Sequence, residues 1–217
     1  MRTRHTRFAC GASLAVLALV VLGATVPGVT LTFDDDVPGG APRGFVFAAT
    51  RQALPGTWEV RASGPHHYLA HDANPTAMGL SMAVITSAAP ANLRETVRIR
   101  LVGGNRLGGV VWRYRDAANF YAAGIDLQKH EALLHRVTGG SRVQLDRVGD
   151  LNVDPDMWHT LSVAHHDDQI LIHLDGIAIL RARDRTFDSG QAGVGAGGAA
   201  TIWYSDLRID EYAEPRR

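Results

Sequence analysis

From residue 29 onward the apolar positions of this chain recur with a period of two, and glycine, proline, aspartate or asparagine interrupts them every few residues. No stretch there has the 3.6-residue period of a helix. The pattern predicts strands over Val29–Phe33, Phe45–Ala49, Thr57–Arg61, Met78–Thr86 and Arg94–Val102, and leaves Gly64–Pro75 as an exposed irregular run rich in histidine. Further on, Ala132–Val137 and Arg142–Val148 flank a turn at Gly139-Gly140, and Trp158–His165 turns back at His166–Gln169 into Ile170–Leu174. Asp175-Gly176 between apolar runs is a two-residue hairpin signal and returns the chain as Ile177–Ala182. Gln191–Ala196 and Thr201–Ile209 close the series. Many short strands, regular turns and no helix predict an all-β fold, an antiparallel two-sheet sandwich.

The segment Gly108–Asp126 reads as a hairpin turning at Asp116–Asn119. With a symmetric turn, Tyr114 faces Tyr121, Arg113 faces Ala122 and Trp112 faces Ala123. Alternation then puts Val110, Trp112, Tyr114, Tyr121, Ala123 and Ile125 on a core face. Val111, Arg113, Arg115, Phe120, Ala122, Gly124 and Asp126 take the opposite face. A cationic side chain above such small residues is either a solvated sheet surface or the floor of a ligand groove.

Charge narrows the function classes. The 22 Lys and Arg residues balance 22 Asp and Glu, so no net field draws the chain to nucleic acid or an anionic membrane. At the N-terminus, Arg2, Arg4 and Arg7 precede the uncharged, mostly apolar run Phe8–Val26. That is the form of an export signal cleaved after Ala24, or of an uncleaved helical anchor. The expected layout is a signal or anchor over residues 1–24, a sandwich domain over 29–212 and a polar tail over 213–217. The domain then works outside the cytoplasm, secreted, periplasmic or tethered, with membrane contact only through the N-terminal segment. The single cysteine, Cys10, lies in that segment, so the domain has no disulfide and no thiolate metal site.

Several stretches together carry a family resemblance: Phe33-Asp34-Asp35, Gly108–Tyr121, Trp158–Val163, Ile172–Gly176, Thr186–Val194 and Tyr204–Ile209. Their order resembles the concanavalin A-like lectin/glucanase jelly roll, and within it laminin-G-like modules and the 3-keto-disaccharide hydrolase domain family. The resemblance implies a jelly-roll sandwich over nearly the whole chain after residue 28. For the hydrolases it implies a second hairpin strand resembling Tyr-Glu-Val-Gln-Ile beside an arginine. Here Arg113 is present, but Ala122 and Gly124 stand where the Glu and Gln belong. A carboxylate able to act as acid or base is missing there.

The expected function is therefore an exported, non-catalytic module that recognises carbohydrate or a glycoconjugate surface. Its candidate ligand-binding residues are Arg113, Arg115, Phe120 and Asp126, which offer an aromatic platform and planar hydrogen-bonding groups. The alternatives are a glycoside hydrolase of the 3-keto-disaccharide type and a structural or adhesion domain. For a cofactor the one candidate is calcium, held by Asp34 and Asp35 on the first strand and Asp206 on the last if those strands pair. A solvated turn is the competing reading of the aspartate run. His165-His166-Asp167-Asp168 matches no zinc spacing, since adjacent strand residues point to opposite faces.

Overall fold

The computed structural model describes residues 28–50, 56–72, 79–87, 89–104, 107–155, 157–197 and 199–212. The apolar run Phe8–Val26 and the tail 213–217 lie outside the described residues. Period-two alternation becomes strands: β1 (Val29–Leu31), β2 (Phe45–Ala49), β3 (Thr57–Ser63), β4 (His66–Asp72) and β5 (Leu80–Ile85). The middle of the chain supplies β6 (Leu93–Gly104), β7 (Leu107–Asp116), β8 (Asn119–Asp126), β9 (Glu131–Thr138) and β10 (Ser141–Val148). The last third gives β11 (His159–His166), β12 (Gln169–Leu174), β13 (Ile177–Arg183), β14 (Gln191–Gly197) and β15 (Ala200–Glu211).

Two antiparallel sheets face each other. One runs β13-β12-β11-β6-β15-β4-β3, with β1 beside β15, and the other β10-β9-β8-β7-β14-β5-β2. The first and last strands do pair, Val29 with Ile209 and Leu31 with Leu207. Inward positions of β6 (Leu93, Val97, Ile99, Leu101) meet those of β7, β8 and β14 (Val110, Trp112, Tyr121, Ala123, Val194), all within one buried cluster. Removing that apolar area from water is the main force holding the sheets together.

Two expectations need correction. Within the histidine-rich run, His66–Asp72 is a strand paired on both sides, with Leu69, Ala70 and His71 fully buried in β4. Its histidines hide a normal alternation, because the desolvated His71 ring is stabilised by an Nδ1 contact of 2.8 Å to the Ala200 carbonyl. The hairpin is also not symmetric. Asp116 pairs with Asn119, but the next aligned pairs are Trp112 with Tyr121 and Val111 with Ala122. Three residues of β7 therefore oppose Phe120 alone, a bulge in which Arg113 adopts a φ of 45°. Because the slip is of two positions, Trp112 and Tyr121 keep the core face, whereas Tyr114 moves outward to a second apolar cluster with Val111 and Phe120.

Glu95 breaks the pattern differently. It sits at an inward position of β6, fully buried, and neither carboxyl oxygen has a hydrogen-bond partner. Burial pushes its carboxyl well above the ordinary range, with the Gly193 backbone amide the nearest relief. In the unfolded chain the same group ionises near pH 4.5. Its contribution to stability is thus fully present below that pH and declines as pH rises toward the folded-state value. Glu95→Gln should flatten this neutral-side decline in urea-unfolding midpoints between pH 4.5 and 8. Glu95→Leu should stabilise the fold by about 1–3 kcal/mol at pH 7, as two unpaired polar atoms leave the core. An unaltered pH slope in Glu95→Gln would mean that the carboxyl is ionised and compensated.

Candidate functional site

The four hairpin residues expected to share a binding face are dispersed. At the bulge the Arg113 side chain, 2% exposed, enters the end of the sandwich. Its Nε and Nη2 donate to the Ala91 carbonyl at 3.3 and 2.9 Å, and Nη1 donates to the Phe187 carbonyl at 2.6 Å. Both Nη atoms also approach the Asp167 carbonyl at 3.4 Å. Arg115 is exposed and pairs with Asp188 at 2.7 Å. Phe120 is buried against Tyr114 on the outward side of the same seven-stranded sheet, and Asp126 at the far end of β8 accepts from the Lys129 amide at 3.1 Å. Phe120 and Asp126 keep the outward phase of β8 but at its two ends, and the bulge takes Arg113 out of the alternation.

Arg113 belongs to a buried polar cluster. Trp112 Nε1 donates to His165 Nδ1 at 2.9 Å, which leaves the proton of a neutral ring on Nε2, 3.2 Å from the Asp184 carbonyl. The Arg113 Nη1 contact to that Nε2 at 3.0 Å is then a meeting of two donors. Burial, reinforced by the Arg113 charge, lowers His165 to about 4 and keeps it neutral. Tyr121 donates to Asp184 Oδ1 at 2.5 Å, its phenol pushed up to about 12 by burial, and Arg136 pairs with the same carboxylate.

The aspartates considered for calcium fare unequally. Asp34 and Asp206 line one groove, as the pairing of first and last strands requires, but Asp35 turns away and offers its carbonyl to Arg43 at 2.7 Å. Asp34 Oδ1 accepts from the His67 amide at 2.8 Å, and Asp206 Oδ2 lies 3.4 Å from Arg98 Nη1. Among the described residues no three His, Cys, Asp or Glu side chains are placed to hold a metal ion. The three-aspartate calcium clip is therefore not formed.

That groove, about 440 Å³, lies on the outward face of the eight-stranded sheet. Its walls come from polar-phase positions of neighbouring strands. On β15 the outward Trp203 lies directly across from Arg100 of β6, whose guanidinium carbon is 4.9 Å from the centre of the indole. Tyr68 of β4 packs on the other side of Trp203, ring centres 4.6 Å apart. Trp158, immediately before β11, reaches across to meet Tyr68 edge-on at 6.3 Å, and Arg98 stacks on it at 5.2 Å. A second bulge, between Ser205 and Arg208 with Asp206 at a φ of 51°, turns the Asp206 carboxylate toward Arg98. Three aromatic rings, two guanidinium groups and two carboxylates thus surround one open cleft.

No protein-family model and no curated protein matches the chain. Among solved structures it is similar to the carbohydrate-binding module CBM66 from Bacillus subtilis, with a TM-score of 0.61, 18% identity, and coverage of 76% of this chain and 94% of that one. It is similar to domain 4 of AbnA, a GH43 extracellular arabinanase from Geobacillus stearothermophilus solved with arabinotriose (TM-score 0.59, 9% identity, 84% and 90% coverage). A native glycosidic hydrolase is a further match, at a TM-score of 0.58 and 12% identity, covering 89% of this chain and all, 100%, of the other. The chain shares the jelly-roll sandwich fold of these structures. At these identities the likeness carries the fold alone.

Within this sandwich, Trp158, Trp203 and Tyr68 are the groove residues that sequence reasoning passed over. A signal was present for one of them. Thr201, Trp203 and Ser205 form the polar phase of β15 against the inward Ile202 and Tyr204, so a tryptophan stood where a small polar residue was due. The structure makes Arg113 a strut, and its removal separates the two sites. Arg113→Met should cost about 3 kcal/mol, or roughly 6–12 °C in Tm, by leaving the Ala91, Asp167 and Phe187 carbonyls without their donor. Arg113→Lys should fall between, since an ammonium cannot span all three. An unchanged thermal midpoint in both variants would show that the strut does not hold the fold.

Proposed function

We propose that the domain is a carbohydrate-binding module that holds a glycan in the groove walled by Trp158, Trp203 and Tyr68. The observation that carries the reading is the convergence of these rings with Arg98, Arg100 and Asp206 in one open cleft. Sugar rings present apolar C–H faces and planar fans of hydroxyls, which match aromatic platforms flanked by guanidinium and carboxylate groups. The similarity to CBM66 and to the arabinotriose-bound AbnA domain supports the same reading. The apolar run Phe8–Val26, with its basic start, supports placing the domain outside the cytoplasm, where polysaccharide is met.

A hydrolase is the second reading, favoured by one observation: Asp34 and Asp206 both line the aromatic groove, and glycosidases work with paired carboxylates. The hairpin opposes it, since Ala122 and Gly124 carry no acid there.

Titrating the full chain with a panel of oligosaccharides by calorimetry tests the proposal. Trp158→Ala should weaken binding about tenfold, the worth of one lost ring–sugar contact, and Trp203→Ala should weaken it too by removing the support of Tyr68 and Arg100. Arg113→Met, where it folds, should bind as the unaltered chain does. Full affinity in both tryptophan variants would remove the groove from consideration. Reducing ends released from a bound glycan, and lost in Asp206→Asn, would favour the hydrolase.

A further inference from the structure

The groove's own hydrogen-bonding inventory narrows the sugar class, an inference that rests on the groove being the glycan site. Its basic groups are not equivalent. Arg98 is engaged twice, by the Trp158 ring and by Asp206. Elsewhere on the same sheet Arg61 is held by Glu59 and Asp72, and Arg208 by Asp210. Arg100, two residues along from Arg98 on the same face of β6, has its guanidinium carbon 4.9 Å from the centre of the Trp203 ring. A cation held over an aromatic ring still lacks a hydrogen-bond acceptor for its N–H donors. Among the described residues none accepts from it, and Arg100 Nε is enclosed without an acceptor. The Nε1 of Trp203 is enclosed and without an acceptor as well.

Arg100 is therefore the groove cation left without a carboxylate partner among the described residues. The groove's two carboxylates are placed elsewhere, Asp34 accepting from the His67 amide and Asp206 from Arg98. A carboxylate brings two coplanar acceptor oxygens and no donor, which matches the edge of a guanidinium bidentately. We propose that the groove selects acidic glycans, the carboxylate of a uronic acid residue meeting the edge of Arg100 while the sugar ring packs on Trp158 and Tyr68.

The test compares trimers of galacturonic acid and of mannuronic acid with the same trimers after reduction of each carboxylate to a primary alcohol, titrated against the full chain at low salt. At least one uronide should bind about tenfold or more tightly than its reduced partner, and raising the salt should narrow that ratio. Arg100→Gln should bring the ratio close to one, and Arg100→Lys should restore part of it, because the charge returns without the fork. Circular dichroism on both variants checks the fold, and the unaltered chain decides the question by itself if either fails to fold. Equal or weaker binding of both uronides overturns the proposal, as does a preference that survives Arg100→Gln. A preference for a sulfated neutral trimer over both uronides overturns it too. Reduced trimers bound in a Trp158-dependent manner, with no gain from the carboxylate, sink the acidic selectivity and leave the binding module standing. No binding of any trimer, with or without Trp158, counts against both.

Discussion

One buried guanidinium organises the end of this sandwich. Arg113 leaves its strand at a bulge and donates to backbone carbonyls at Ala91, Asp167 and Phe187, which belong to three separate connections. A buried charge of this kind is costly unless its donors are met, and here carbonyl oxygens meet them without a carboxylate partner. The His165 ring beside it is held neutral, and the Trp112 indole fixes its tautomer. Hydrogen-bonded groups in so dry a place admit few alternative geometries, so the loops closing this end are set by one side chain.

The same bulge decides which sheet is left to meet a ligand. Past Arg113 the outward phase of β7 and β8 is apolar, and Val111, Tyr114 and Phe120 join Met82, Val84 and Val137 in a second buried cluster. The outward side of the seven-stranded sheet is thus occupied by packing across its centre. On the eight-stranded sheet the outward phase remains polar and aromatic, with Arg94, Arg98 and Arg100 each stacked on a ring. There the second bulge, at Asp206, works in the opposite sense, turning a charge outward to the groove where the first turns one inward.

How much of this was legible in the sequence depended on the kind of signal. Strands with apolar–polar alternation, such as β6, and the Asp175-Gly176 turn were read directly, since period and turn chemistry are local. β4 was not, because His66, His67 and His71 look like a solvated run until the Ala200 carbonyl, 129 residues away, is seen to satisfy the inward ring. Nor was the bulge, whose position follows from tertiary partners that compensate a φ of 45° at a non-glycine residue. Of the residues assigned to one face on the assumption of a symmetric turn, Arg113 in the bulge left it, whereas Phe120 and Asp126 kept the outward side of β8. First and last strands do pair, and Asp34 and Asp206 both line the groove beside them, but two carboxylates in one cleft are not a metal site.

The groove shows why composition is a poor guide to such a surface. A chain with equal acid and base has no field to advertise, yet local pairing need not be even. Asp206 and Arg98 neutralise one another, which leaves Arg100 as the stacked cation with its edge unmatched. In water such a group gains little from any single partner, but beside Trp203 its side-chain freedom is already restricted. A ligand that meets it need not order it first. Selectivity in this cleft then resides in how donors are left over after the protein has paired its own charges, a property of strand register at Trp203 and Arg100 and of the bulge at Asp206, and not of the residue count.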